Sequence, residues 1–195
     1  MESPTPSRAA ACGKVGFGSI TLVCLLLFVW GCPSKYSVST TDQPQFKGEI
    51  NRHSRLIRSQ RQRLFQILTH EDRFRAICPK GTIVTFQSPL PYGPGTCVNT
   101  TIDHIFKLTW RSRVTEVIAD ERIRLEFLDG FFAGGTETWQ LEAEHGATRI
   151  THTIMIQPLG FLKKLAWRLK VRRKHDRMVE ALFDNLQQVA EAHKN

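Results

Sequence analysis

The sequence predicts an α+β domain in which a curved antiparallel sheet of about six or seven short strands is covered by one long C-terminal helix. Two short helices are expected after the first strand. Apolar and polar residues alternate with period two in several segments between 82 and 157, which indicates strands with one buried face. The segment 161–193 contains neither proline nor glycine and keeps helical spacing of its apolar residues. A sheet with one apolar face needs a cover, and this helix is the only predicted element long enough to provide it.

The first 32 residues differ from the rest of the chain. A short polar leader is followed by residues 15–32, which carry no charge and reach the lower limit of length for a transmembrane helix. This segment is interpreted as a signal anchor, a cleaved secretory signal, or a lipoprotein signal in which Cys32 is lipidated. The run Val29-Trp30-Gly31-Cys32 resembles a lipobox, although Trp30 is bulky where small residues are usual. A buried helix of the folded domain is the remaining alternative.

The charges around this segment predict an orientation. Arg8 and Lys14 precede it, whereas only Lys35 follows closely, so the positive-inside tendency places the leader in the cytoplasm. The protein is therefore expected to be membrane-associated, with its domain extracytoplasmic, on the periplasmic side. Residues 33–45 are rich in Ser, Thr and Pro and are expected to be a linker. The folded domain is expected over residues 46–195.

The domain begins with one weak strand pattern and two helical patterns. Residues 49–58 form a candidate edge strand, with few apolar positions among many polar ones. Residues 59–68 and 69–77 have helical spacing, and Ser59 and Thr69 are the expected N-cap residues. Pro79 and Gly81 follow the second helix and end it.

The strand region starts at Thr82 and contains clear turn signals. A proline- and glycine-rich segment at 89–95 separates the first strand from the next ones, and Pro158 ends the last. The predicted strands are 82–86, 96–103, 108–118, 122–129, 136–143 and 149–157. Their even spacing indicates an antiparallel meander.

The last two of these strands form a hairpin whose register can be predicted. A turn around 144–147 gives the same register whether it uses two or four residues, and that register places the apolar residues of both strands on one face. The predicted opposing pairs are Leu141 with Ile150, Trp139 with His152, and Glu137 with Ile154. The inner face of the hairpin therefore carries one large aromatic residue and one histidine.

With this order of elements, residues 50–190 resemble the START-like helix-grip superfamily, also called SRPBCC. That superfamily includes polyketide cyclases and lipid-transfer and coenzyme Q-binding domains. The resemblance is carried by the order of weak motifs: the helical pair around 64–77, PLPYGPGT at 89–96, LTWRSRVTEV at 108–117, the Gly130-Phe131-Phe132 turn, HGATRITHTIMIQP at 145–158, and PLGFLKKLAWRLKVRR at the start of the last helix. It implies a helix-grip fold with a cavity between the sheet and the long helix. One branch has a histidine pair where this chain has Glu137 and Trp139, so the role of that pair does not transfer.

If the sheet and helix enclose a cavity, the residues that face inward form its wall. The expected lining is mainly apolar and aromatic, which suits a lipid, polyketide or isoprenoid quinone. The expected ligand-binding residues are Val98, Trp110, Val114, Leu125, Phe127, Trp139, Leu141, Ile150, Ile154, Leu165, Leu169 and Phe183. Phe131 and Phe132 form either a flexible aromatic gate at the mouth or a packed corner. The alternative is that these side chains simply fill the interior.

Few polar residues are expected inside. Glu137 and His152 are the only plausible acid–base pair, suited to proton transfer in an aldol-type cyclisation or dehydration, with the desolvated carboxylate as base and the histidine as its partner. A histidine bonded to a neighbouring backbone or hydroxyl group is the structural alternative. No nucleophile motif, phosphate-binding loop, dinucleotide fingerprint or metal-ligand spacing is present, so neither a metal site nor a cofactor is predicted. Cys78 and Cys97 either pair or remain free thiols.

The chain carries a formal net charge of +9, and basic residues are concentrated in the segment 163–177 of the last helix. This segment is expected either to contact anionic headgroups or to be an ordinary solvated face. Nucleic acid is not an expected partner, because the aromatic residues needed for base stacking are predicted to point inward. The expected function is binding or transfer of a hydrophobic small molecule or lipid. The alternatives are a cyclase or dehydratase that uses Glu137 and His152, and a sensing or assembly factor with a closed cavity.

Overall fold

Seven strands form one antiparallel sheet in the computed structural model, which describes residues 46, 48–103 and 107–192. The strands are β1 (Glu49–Ile57), β2 (Thr82–Gln87), β3 (Cys97–Ile102), β4 (Leu108–Ile118), β5 (Arg122–Phe127), β6 (Thr136–Glu144) and β7 (Ala147–Ile156). Their order in the sheet is β1-β7-β6-β5-β4-β3-β2, so β1 pairs with the last strand rather than with β2. The pairing of β4 with β5 shifts between Val114 and Glu116, an irregularity of the kind that bends a sheet. The predicted α+β class and curved sheet are confirmed.

The predicted hairpin register is confirmed in all three pairs. Leu141 lies opposite Ile150, Trp139 opposite His152, and Glu137 opposite Ile154. The turn uses the two residues His145 and Gly146, which have φ angles of 47° and 80°. Positive φ at both central residues is typical of the turns whose twist matches that of the flanking strands.

Two short helices follow β1, as predicted, but their N-caps differ from the expected residues. The helices are α1 (Arg61–Thr69) and α2 (Glu71–Ile77), and they are preceded by Gln60 and His70. Ser59 lies before the cap position, where its carbonyl accepts a hydrogen bond from Thr148 Oγ1 at 2.6 Å. Thr69 belongs to the last turn of α1, and its hydroxyl donates to the Phe65 carbonyl at 2.9 Å. Neither residue caps its helix, because each bonds to another group instead. Serine and threonine near a helix end can form such alternative hydrogen bonds with nearby residues.

The long C-terminal helix is continuous but not uniform. It consists of α3 (Phe161–Ala166), a π-helical turn (Trp167–Val171) and α4 (Arg172–Glu191). The predicted last residue of the helix, His193, lies outside the described ranges. One face of α4 covers the sheet with buried side chains: His175, Val179, Leu182, Phe183, Leu186 and Ala190. A π-helical turn changes the spacing of side chains along a helix but needs neither proline nor glycine. The sequence therefore predicted one regular helix.

A short 3₁₀ segment at Gly130–Phe132 connects β5 to β6 and turns two aromatic residues toward the interior. Gly130 has a φ angle of 75°, and a Cβ atom there would lie 2.8 Å from the Thr109 carbonyl oxygen. Glycine is therefore required both by the backbone conformation and by the close approach of β4.

The predicted anchor (1–32), with Cys32, and the predicted linker (33–45) lie outside the described residues and remain predictions. No helix among the residues described here is long and apolar enough to cross a membrane. Cys78 and Cys97 are not joined in a disulfide.

Candidate functional site

Most of the predicted lining residues are buried between the sheet and the helices. The buried ones are Val98, Trp110, Val114, Leu125, Phe127, Phe132, Trp139, Leu141, Ile150, Ile154 and Phe183. Phe131 is half-buried. They come from the inward faces of β3 to β7, the 3₁₀ segment and α4, because alternate residues of each strand point to the same face.

Leu165 and Leu169 do not face the interior, and that expectation is wrong. Their side chains are 40% and 59% exposed, whereas Trp167 between them is buried. Between α3 and α4 the chain passes through the π-helical turn, so the regular spacing used for the prediction does not hold there. The helical part of the interior wall is instead supplied by Met178, Val179 and Leu182 of α4.

Two small adjacent cavities lie between the sheet and the helices of the described part of the chain. The larger has a volume of about 50 Å³ and the smaller of about 40 Å³, and both are bordered by Phe74, Thr100, Glu137 and Trp139. Phe74 was expected to face inward from the second short helix, and it does. Cys78, after α2, and Tyr92, in the segment after β2, also border these cavities. The sequence did not identify these two as wall residues, because a residue in a turn or at a helix end has no periodic pattern.

Glu137, Trp139 and His152 form a hydrogen-bonded group on the hairpin. Glu137 Oε1 accepts a bond from Trp139 Nε1 at 2.8 Å and lies 3.0 Å from His152 Nε2. The indole and imidazole rings of Trp139 and His152 are 4.3 Å apart between centroids. The predicted pair is thus brought together, and the side-chain contact follows from the register that places Trp139 opposite His152. A carboxylate oxygen accepts, so the neutral form of His152 donates from Nε2 to Glu137 and keeps Nδ1 as an acceptor.

His175 of α4 lies over this group. Its ring is stacked on that of His152 with centroids 5.5 Å apart, and its Nδ1 and that of His152 are both buried without a hydrogen-bond partner. Burial lowers the pKa of His175 well below its ordinary value, and a positive charge on His152 or His53, when either is protonated, acts in the same direction. The Tyr92 hydroxyl has a raised pKa, because it is buried and because Glu137 is negatively charged nearby. Neutral His175 and neutral Tyr92 are therefore expected at neutral pH.

A second polar group connects β1 to α4. His53 Nδ1 lies 2.7 Å from Glu180 Oε1, and His53 Nε2 lies 3.2 Å from Asp176 Oδ1. Asn51 Nδ2 donates to the same Asp176 oxygen at 2.6 Å. His53 is also the strand neighbour of His152 across β1 and β7. Sequence reasoning missed this group, since β1 was a weak strand prediction and His175-Asp176 stood inside a basic run.

Phe131 and Phe132 form a packed corner in this structure. Phe132 packs against Trp110 and Phe127, with ring centroids 5.2 Å apart in each case. Phe131 stacks on Trp167 at 6.4 Å, so this aromatic corner links the sheet to the π-helical turn. The alternative role of these residues as a gate stays a prediction.

An apolar and basic surface surrounds α3. Leu159, Phe161 and Leu162 are 72–79% exposed, and beside them lie the exposed cations Lys163, Lys164 and Arg168. Residues 158–175 contain no acidic residue. A surface cleft of about 450 Å³ lies next to them, between the start of β1 and the start of α3. These six residues are called the α3 surface patch below.

Cys78 borders the larger interior cavity, and burial raises the pKa of its thiol to about 11. At pH 8 only about 0.1% of such a thiol is ionised, compared with about a quarter of an unperturbed cysteine with a pKa near 8.5. We therefore expect alkylation of Cys78 by iodoacetamide at pH 8 to be about 100-fold slower in the native chain than in urea, because the thiolate is the nucleophile. Peptide mapping of the alkylated protein measures this rate. Equal rates in native and denatured protein would contradict the prediction.

Comparisons with known proteins identify the fold. No protein-family model matches the chain, and no curated protein matches it. Among solved structures, TTHA0849 from Thermus thermophilus superposes with a TM-score of 0.63 at 18% identity, over 75% of this chain and 100% of that one. Ginseng major latex-like protein 151 from Panax ginseng gives 0.60 at 8% identity, over 73% and 97%. The Aha1 dimer from Colwellia psychrerythraea gives 0.54 at 14% identity, over 75% and 99%. The resemblance found in the sequence is thus confirmed at the level of the fold, and this chain has the helix-grip fold.

Proposed function

We propose that the domain binds a hydrophobic small molecule or a lipid between the sheet and α4. The observation that carries the proposal is the character of the interior wall. Apolar and aromatic side chains border both cavities, and the polar groups Glu137, His152 and His175 are gathered beside the larger one. Ligand sites of this kind combine an apolar wall with a few polar groups that fix orientation.

Occupation requires the wall to move. Pockets for organic ligands usually measure about 300–1,000 Å³, whereas the larger cavity here measures about 50 Å³. The proposed moving part is the aromatic corner of Phe131 and Phe132 together with Trp167, since these residues join the cavity to the α3 segment. Trp167 lies in the π-helical turn, and its indole N–H is buried without a hydrogen-bond partner. Such turns are frequent at functional sites, and an unsatisfied buried donor lowers the stability of the closed packing.

We also propose that the domain takes up its ligand at an anionic membrane surface. The α3 surface patch presents exposed apolar side chains beside cations, which is the composition that binds the headgroup region of anionic bilayers. The predicted N-terminal anchor would hold the domain at the same membrane, on its extracytoplasmic side. Because Trp167 follows α3 directly, insertion of the patch would move the segment that closes the interior.

A second candidate function is favoured by the bond between Glu137 and His152. With Nε2 donating to Glu137, His152 Nδ1 is free to accept a proton inside the apolar interior. This arrangement would suit a cyclase or dehydratase in which His152 is the general base and Glu137 orients it. In the sequence-based hypothesis the carboxylate was the base. Since Glu137 already accepts two bonds, the imidazole is the better candidate.

Ligand retention tests the first proposal. We expect native mass spectrometry of the full chain, purified from a membrane extract, to show a retained lipid-sized mass that organic solvent removes. Met178→Trp places a larger side chain beside the cavity and is expected to abolish retention and the uptake of a fluorescent fatty acid. Gln188→Trp is the matched control, because Gln188 lies on the same helix but is exposed. Absence of uptake by the folded wild-type chain would support a sensing or assembly factor with a closed cavity instead.

His152→Ala separates a binding domain from an enzyme. A binding domain is expected to change only in affinity, whereas an enzyme is expected to lose about 10²–10⁴-fold in turnover while it still binds its ligand. Turnover is measured as conversion of the molecule identified by mass spectrometry. His145→Ala, in the exposed hairpin turn, is the control histidine.

A further inference from the structure

We propose that His53, His175 and Asp176 form a binding site for a divalent transition-metal ion of the Zn²⁺ or Co²⁺ class. One ligand-capable atom from each of these residues lies within 4.8 Å of the other two. The three residues come from β1 and from the first turns of α4, so the site would connect one edge of the sheet to the helix that covers it. This inference does not depend on what the cavity binds.

The distance between two of the candidate ligand atoms, which are hydrogen-bonded here, also suits coordination of one metal ion. In a tetrahedral zinc site with ligands at about 2.0–2.1 Å, neighbouring ligand atoms are about 3.3 Å apart. His53 Nε2 and Asp176 Oδ1 are 3.2 Å apart, which is already that distance. The His175 ring centroid is 6.0 Å from that of His53. Binding would therefore require the His175 ligand atom, which lies within 4.8 Å of the other two, to move closer to them.

The surroundings of two of the ligands are those of a metal site. His53 Nδ1 donates to Glu180, so a metal ion could replace the proton on His53 Nε2, which is directed at Asp176. A carboxylate on the far nitrogen of a metal-binding histidine fixes its tautomer and orientation. Asn51, which is buried, donates to Asp176 Oδ1 and holds that carboxylate in place. Outer contacts therefore already position both His53 and Asp176.

The burial of His175 supports the metal site separately from the distances between the ligand atoms. The residue is buried, and its Nδ1 has no hydrogen-bond partner among the described residues, whereas buried polar atoms nearly always have one. A cation held by this cluster would explain why a histidine is retained here beside the apolar wall. Two imidazoles and one carboxylate favour zinc, cobalt or nickel over magnesium or calcium, which prefer oxygen ligands. Three protein ligands would also leave one position open, and His175 borders the larger cavity.

Titration of the full chain with Co²⁺, after removal of metals by a chelator, tests the site. We expect saturable binding of one ion per chain, visible d–d absorption, and displacement by Zn²⁺. Asp176→Asn and His53→Gln are expected to abolish this binding. Glu180→Gln is expected to weaken it by about 10–100-fold, as for other changes in the outer contacts of a metal site. Asp184→Asn is the matched control, because Asp184 is exposed on the same helix and pairs only with Arg55 among the ion pairs of the described residues.

The five cysteines of the chain require a separate readout, since thiolates also bind cobalt. Thiolate ligation produces an intense near-ultraviolet charge-transfer band, which the proposed site lacks. Thermal unfolding supplies a second measurement, because an ion that binds only the folded state raises its stability. We expect Zn²⁺ to raise the melting temperature of the wild type and of Asp184→Asn, but not of folded Asp176→Asn. Absence of saturable Co²⁺ binding to the wild type, or binding that is unchanged in both His53→Gln and Asp176→Asn, would overturn the proposal.

Discussion

Replacement of Lys163, Lys164 and Arg168 by glutamine is expected to weaken binding of residues 46–195 to anionic vesicles by about 100-fold. Each basic residue near an anionic surface contributes about 1 kcal/mol, so three contribute about 3 kcal/mol. The three side chains are exposed and lie beside the apolar residues of the α3 surface patch. Co-sedimentation with vesicles that contain phosphatidylserine measures the change in binding. The ionic strength is kept at about 0.1 M, where the electrostatic attraction between protein and membrane extends over about 10 Å.

A control with the same loss of charge separates local contact from net charge. Arg58, Arg73 and Lys80 are exposed cations outside the α3 surface patch, and their replacement by glutamine removes the same three charges. We expect this variant to bind vesicles much as the wild type does. Circular dichroism establishes first that residues 46–195 and both variants are folded. Equal losses in the two variants, or equal binding of the wild type to neutral and anionic vesicles, would contradict the proposed contact surface.

Phe183→Ala is expected to lower the free energy of unfolding by about 3–5 kcal/mol, the range for removal of a buried aromatic side chain. Phe183 is fully buried on α4, and its ring contacts Trp139 edge-on at 6.2 Å between centroids. The guanidinium of Arg55 also lies over the ring. Because domains of this size are usually stable by about 5–15 kcal/mol, the variant should lose a large part of its stability. Urea denaturation followed by tryptophan fluorescence measures the loss.

The chain offers a matched control for this substitution. Phe161 is 76% exposed in the α3 surface patch, so Phe161→Ala removes the same atoms without opening a cavity. We expect its effect on the free energy of unfolding to stay within about 0.5 kcal/mol. A small effect of Phe183→Ala, comparable to that of Phe161→Ala, would show that α4 does not hold the sheet through this residue.

The fold could be predicted in large part because its strands are one-sided. In the β6–β7 hairpin, a register shifted by one residue would turn every inward side chain to solvent, so the alternation left one acceptable pairing. That pairing placed Trp139 and Glu137 beside His152, and their hydrogen bonds follow from it. Local patterns were less informative at helix ends, where Ser59 and Thr69 use other hydrogen bonds than the expected caps.

The wall of the interior was predicted less completely than the strands. Positions with period-two alternation were placed correctly, whereas Leu165 and Leu169 were assigned inward by a helical spacing that the π-helical turn interrupts. Cys78 and Tyr92 lie in connections without periodicity, so no pattern could indicate that they border the cavities.

Patterns within a few residues were enough to predict the class of fold, the strands, the hairpin register and the pairing of Glu137 with His152. No such pattern indicated that His53 lies near His175 and Asp176. These residues lie on β1 and α4, more than 120 residues apart in the chain. They are brought together by the pairing of β1 with β7 and by the packing of α4 on the sheet. The near-complete filling of the interior by side chains is likewise visible only in the folded chain. Packing density depends on how side chains from several elements fit together, and that fit has no signature in the order of residues along the chain.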